Sequence, residues 1–308
     1  VHVFSPDGGL VSYTYEDHLL AEAPAGSGAE PNQRNVGVSV MGRPVVVDRE
    51  HPRNHDGVAF SVLVTRTVAT PRPGSDEIDR AYEEGWVGTN GYVRGDGTRQ
   101  RRALAFQGQV RSEAGTPMAE VFVVDVPEDL TRVGSGPLEG TATQRPAPPE
   151  GVVQRRLTWT GGRKHPGLAG PRHWLRSSPD GSRIGFLMRD EDGVVQLWTV
   201  ATEGGEPVAI TRNPWDMGSA FSWSADGDWI AHGMDGSVWV TRVATGEGRR
   251  LTKRVEGEGA PRPEACVFSP DGRRIAWVGR SLEGDGRWHN QVRVIQKLDV
   301  MAAGGESR

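Results

Sequence analysis

Histidine and carboxylate side chains that recur at matched positions of a repeat can be gathered at one point by the fold, where they could hold a divalent cation or a polar ligand. His173, Ser219 and Glu264 each stand seven residues before the Asp of a Ser-x-Asp-Gly stretch, and His2 stands five before the first such Asp. His2 and His173 are the candidate metal ligands of this set, and Glu264 adds a carboxylate. His55-Asp56 precedes the run from Ala59, which reads as a further inner strand. The competing reading gives each of these residues a modest task, ending a strand and bonding a neighbouring backbone group.

Glu83, Glu84 and Trp86 form a second candidate set. They lie in or just beyond a segment that reads as a short amphipathic helix over Ser75–Glu84. Ser75 is a suitable N-cap, Asp76 and Glu77 complement the helix dipole, and Gly85 can end the helix. Such a helix would either cover a sheet edge or act as a lid that offers Glu83, Glu84 or Trp86 to a ligand.

The positioning elements follow from the repeated turn. Ser5-Pro6-Asp7-Gly8, Ser178-Pro179-Asp180-Gly181, Ser224-Ala225-Asp226-Gly227 and Ser269-Pro270-Asp271-Gly272 each separate two short apolar runs, and the last three Asp residues are 46 and 45 positions apart. A period of that size marks a stack of supersecondary units that cannot bury their faces alone. Pro sets φ at the first corner, Asp bonds nearby backbone, and Gly takes the positive φ that follows. Between turns the chain shows four strand-like runs per period, which is the blade of a β-propeller. The expected fold is therefore all-β, a propeller with five four-stranded blades in one partial domain over residues 1–308. The blades fall at about 2–48, 58–160 with a helical insertion near 70–100, 172–213, 219–253 and 264–300. The chain starts with Val1 inside a strand and stops before the last blade is complete, so it is expected to be the C-terminal part of a longer propeller.

Composition narrows the function classes. A formal charge of −4 and pI near 6.1 leave no basic footprint for nucleic acid, and no apolar run has the length of a membrane span. Cys266 is the single cysteine, which excludes an intramolecular disulfide and favours a reducing compartment. A cytoplasmic location is expected, with the periplasm as the alternative because the natural N-terminus is expected to be absent. Among the ten Trp residues, Trp86, Trp215 and Trp288 read as loop residues able to meet a ligand. A small molecule, a carbohydrate or a protein is the expected partner. There is no Gly-x-Ser-x-Gly elbow, phosphate loop or His-Glu-x-x-His helix.

The turn resembles the TolB-type propeller repeat. Pro71-Arg72-Pro73-Gly74-Ser75-Asp76 running on to Glu83-Glu84-Gly85-Trp86-Val87-Gly88 is a more specific signal, together with Gly151 to Thr158, Pro171-Arg172-His173-Trp174, Phe186-Leu187-Met188-Arg189-Asp190 and His2-Val3-Phe4-Ser5-Pro6. With these stretches the chain is similar to the bacterial YidR-like family of TolB-like propellers along essentially its whole length, and this likeness implies a seven-bladed parent. A more distant likeness, through His2-Val3-Phe4-Ser5-Pro6, is to the oligogalacturonate lyases, and it implies a divalent metal such as Mn. The function expected is binding or scaffolding at the mouth of the central channel. The alternative is a metal-dependent polyuronate lyase, in which the metal neutralises a substrate carboxylate while a base removes the adjacent proton.

Overall fold

The computed structural model describes residues 2–47, 49, 52, 54–171, 175–264 and 266–296. The chain divides into two compact units, one of residues 1–161 with 202–205 and one of residues 162–201 with 206–308.

In the first unit, β1 (His2–Phe4), β2 (Leu10–Tyr15), β3 (Asn35–Val45) and β4 (Gly57–Leu63) form an antiparallel sheet in the order β1-β2-β3-β4. A one-turn helix, α1 (His18–Glu22), sits between β2 and β3 and is capped by Asp17, whose side chain accepts a 3.1 Å bond from the Leu20 amide. The second sheet uses β5 (Arg80–Trp86), β8 (Ala103–Arg111), β9 (Pro117–Asp125) and β10 (Val153–Arg156), in the order β5-β8-β9-β10. A small ribbon of β6 (Tyr92–Val93) and β7 (Arg99–Gln100) lies between β5 and β8 in sequence.

The second unit holds three sheets whose order follows the chain. They are β11 (Arg176–Ser177), β12 (Arg183–Arg189), β13 (Val195–Ala201) and β14 (Val208–Ala209); then β15 (Ser222–Trp223), β16 (Trp229–Met234), β17 (Ser237–Arg242) and β18 (Gly248–Arg250); then β19 (Cys266–Phe268), β20 (Arg274–Leu282) and β21 (Trp288–Gln296). These five antiparallel sheets of three or four strands are propeller blades, and the all-β expectation holds.

Burial explains the strand pattern. The middle strands β12 and β13 are buried along nearly their whole length, and they read as mainly apolar runs rather than alternating ones. In the first unit one core joins Leu10, Val36, Val38 and Val62 of the first sheet to Leu104, Phe106 and Phe122 of the second and to Ile78 just before β5. In the second unit Leu187, Val195 and Leu197 pack on Phe221 and Ile230, and Trp229, Val238 and Val240 pack on Cys266, Phe268, Ile275 and Trp277. Each such side chain contributes roughly 1.5–3 kcal/mol.

The four Ser-x-Asp-Gly turns share one hydrogen-bond pattern. The Ser hydroxyl donates to the Asp carboxylate at 2.5–2.6 Å and accepts the amide five residues on at 2.9–3.1 Å. The Asp also accepts the amide two residues further along at 3.0 Å. These donors hold the Asp7, Asp180 and Asp271 carboxyls below their ordinary value, Asp7 down to about 2.

Three local expectations are corrected. Ser75–Glu84 is not a helix: Ser75 donates to the Arg72 carbonyl at 2.7 Å, Glu77 bonds back to the Arg72 amide at 2.9 Å, and from Arg80 the chain runs as β5. The short polar side chains satisfy the backbone in a turn, and β8 offers an open edge that a strand can pair and a helix cannot. The run from Ala59 is not an inner strand of the second blade, because Gly57–Leu63 is the outer strand of the first. β3 itself runs on through Val45 across a register shift between Met41 and Val45. Trp86 and Trp288 lie in strands, whereas Trp215 is in a loop.

Candidate functional site

In a blade the strand at the free inner edge is the one whose side chains can face a ligand. In the first unit those strands are β1 and β5, each pairing on one side only. The two are tied together by the Trp86 indole N–H, which donates to the Val3 carbonyl at 3.0 Å. In the second unit the Trp223 indole makes the same kind of bond to the Arg176 carbonyl at 3.0 Å, again from one inner strand to the preceding one.

β5 carries most of the chemistry. At its start Asp79 accepts bonds from Gln109 Nε2 at 2.9 Å and Arg111 Nη2 at 2.6 Å, and Gln33 Nε2 donates to the Asp79 carbonyl at 2.9 Å. The Ala81 amide donates to the Arg34 carbonyl at 2.9 Å, so the first residues of β5 are locked to the segment before β3. The Arg80 guanidinium stacks 4.9 Å above the Tyr82 ring. Burial pushes the Tyr82 phenol above its ordinary pKa, which makes it a donor and a platform rather than a base.

Next comes a β-bulge. Tyr82 pairs with Gln107 and Gly85 with Ala105, leaving Glu83 and Glu84 opposite Phe106 alone. Glu83 has φ +55°, a left-handed value that costs a non-glycine residue on the order of 1 kcal/mol. Its carboxylate accepts a 2.7 Å bond from Gln107 Nε2. The bulge turns Glu84 inward: it is 7% exposed, and its Oε1 is fully enclosed with no hydrogen-bond donor among the described residues. A buried carboxylate is ordinarily paired or coordinated, so this oxygen is an acceptor waiting for a partner.

Beside the start of β5 lies a cavity of about 370 Å³, lined by Asn32, Gln33, Arg34, Asp79, Arg80 and Gln109 among others. A larger cavity of about 1090 Å³ lies along the outer strand β4 and the loop of residues 131–139. Its lining is mainly apolar, and of the candidate groups it contains His55 alone.

The expected residues are distributed unevenly. His2 is exposed on β1, and Glu83, Glu84 and Trp86 share β5, so four of the six candidates lie on two linked inner strands. Glu264 belongs to the second unit, in the turn before β19, half-buried with Arg262 Nε 3.5 Å from its carboxylate. His173 lies outside the described residues. Ser219, at the matched position in its blade, is fully buried and engaged by backbone: it donates to the Ala220 carbonyl at 2.6 Å and accepts the Gly233 amide at 2.7 Å. At that position the modest reading is the observed one. Among the described residues no group of three or more His, Cys, Asp and Glu side chains converges as a metal site. Arg80 and Tyr82 were not singled out from sequence. Their spacing of two was the available signal, and the expected helix, in which residues two apart point in different directions, concealed it.

Taken together, blades of this order and their linked inner strands define a β-propeller protein. The chain is a homologue of YidR from Escherichia coli K12, an uncharacterised protein to which it is 45% identical over 292 residues, covering 94% of this chain and 65% of YidR. It thus spans about two thirds of that relative. Residues 1–55 match the family described as protein of unknown function DUF3748. Among solved structures it is similar to a puromycin hydrolase, with TM-score 0.53 and 15% identity over 96% of this chain and 36% of that one. Oligogalacturonate lyase in complex with manganese gives 0.50 and 13%, over 96% and 64%. TolB from Acinetobacter baumannii gives 0.45 and 15%, over 96% and 54%.

Proposed function

We propose that this chain is a binding module that presents a small polar ligand site at the mouth formed by its inner strands β1 and β5, centred on Arg80, Glu83 and Glu84. One observation carries the reading, the enclosed Glu84 Oε1 that lacks a donor at a strained bulge. Strain and an unsatisfied acceptor are both costs, and a site that binds a ligand is where such costs persist. No nucleophile with an adjacent base accompanies these groups among the described residues, so binding rather than bond-breaking is the reading they support. A protein or carbohydrate partner would have to deliver a hydrogen-bond donor to the same carboxylate.

The lyase alternative draws on the likeness of fold to a manganese-bound oligogalacturonate lyase. His2 is the one expected ligand with a described position, and it is an exposed single donor on β1, short of the three or four ligands that a resident cation requires. The described donor set does not fit such an ion.

A thermal-shift screen of polar metabolites, followed by hydrogen–deuterium exchange of the hits, tests the proposal. Protection of peptides covering residues 2–5 and 80–87, lost in Glu84→Gln with an unchanged melting temperature, is expected. Protection confined to the outer strand around residues 57–63 would overturn it.

A further inference from the structure

Arg80 is the unclaimed charge of the first unit's inner mouth. Two acids line its cavity, and both are taken: Glu16 is held by Arg34, with Nη2 at 2.7 Å and Nε at 2.8 Å, and Asp79 is held by Arg111 at 2.6 Å and Gln109 at 2.9 Å. The Arg80 guanidinium has no carboxylate partner among the described residues, and its one recorded side-chain interaction is the Tyr82 ring 4.9 Å away. Its backbone is fixed as the first residue of β5, and the next amide is bonded to Arg34. A guanidinium held over an aromatic ring face spends no hydrogen-bond acceptor on that contact, so the ring anchors it and leaves its N–H donors available. Asn32, Gln33 and Gln109 surround the same cavity of about 370 Å³ and bring side-chain amides to its wall.

We propose that this cavity is an oxyanion site, in which Arg80 takes a carboxylate or phosphate group of a small ligand in a two-pronged contact and Tyr82 holds the guanidinium in place. The planar fork of Arg meets two oxygens of a carboxylate or phosphate at once, and Lys offers only a point charge. The size of the cavity suits a compact metabolite and excludes a folded partner. The proposal rests on the reading of this mouth as a ligand site and adds the charge of the ligand.

The test uses the whole chain and three probes, acetate, succinate and inorganic phosphate, titrated at constant ionic strength and read by chemical-shift changes at Asn32, Gln33, Tyr82 and Gln109. Saturable binding of at least one probe is expected, weakened tenfold or more in Arg80→Ala and less in Arg80→Lys, with both variants melting like the parent. Binding by the carboxylates alone assigns an organic acid, and binding by phosphate alone assigns a phosphoester. Tyr82→Leu should weaken the same probe, because the guanidinium loses its platform. If none of the three probes saturates on the parent chain, or if Arg80→Ala binds as well as the parent, the oxyanion proposal fails. A neutral or cationic metabolite that protects residues 80–87 in the exchange experiment would in that case leave the wider reading of the mouth standing.

Discussion

His232 sits at the centre of the fourth blade, fully buried on β16, with Nε2 2.8 Å from Thr241 Oγ1 and Nδ1 without a hydrogen-bond partner among the described residues. Burial disfavours the charged ring and pushes its pKa from 6.5 down to about 4. A folded pKa below the unfolded one means that the unfolded chain takes up the proton first. Stability is therefore intact above pH 6.5 and is lost as the pH falls towards 4. Linkage between these two values gives almost no penalty at pH 7.5 and roughly 2–3 kcal/mol at pH 4.5. The assay is urea unfolding of the parent and of His232→Gln at both pH values, followed by fluorescence of Trp239, the cross-strand neighbour of His232. Other titrating groups contribute equally to both proteins, so they cancel in the difference. Whatever the variant costs at pH 7.5, that cost should shrink by roughly 2–3 kcal/mol at pH 4.5. A difference that stays constant between the two values would refute the reasoning, because it would mean that His232 is protonated in the folded blade.

Glu120 is fully buried and holds Arg156 at 3.2 Å, the Thr160 amide at 2.7 Å, its hydroxyl at 2.9 Å, and the Thr158 hydroxyl. Glu120→Ala leaves the Arg156 charge buried and should cost about 3–5 kcal/mol in urea unfolding of the first unit. Trp86→Phe and Trp223→Phe each keep a ring and delete one inner-strand hydrogen bond, so each should lose about 1 kcal/mol by the same measurement. Cys266 is buried in β19 and its thiol is pushed up to about 12, so it should not react with a thiol reagent in the native state, and labelling should report the opening of the fifth blade.

Much of this was legible in the chain. The Ser-x-Asp-Gly turns are local chemistry: serine, aspartate and glycine within a few residues satisfy one another and the adjacent amides, so the same pattern recurs wherever the motif occurs. Strands flanking those turns followed from their apolar runs, and the blade count followed from the period. The second blade was misread because its first strand, Arg80–Trp86, has a polar sequence with a good helix start. What makes it a strand is the free edge of β8, a partner that begins 17 residues after Trp86 ends.

The sequence by itself determined the blade repeat and the turns, because both depend on contacts between near neighbours. Tertiary structure alone decided that Glu83 and Glu84 share a bulge, that Glu84 is enclosed, that Asp79 is neutralised by Arg111, and that Arg80 is left with an aromatic ring in place of an acid. Those outcomes depend on which groups from distant segments reach the same few ångströms, and on how much water is excluded when they do. Charge on a residue can be read from its letter. Whether that charge is spent can be read only from its surroundings.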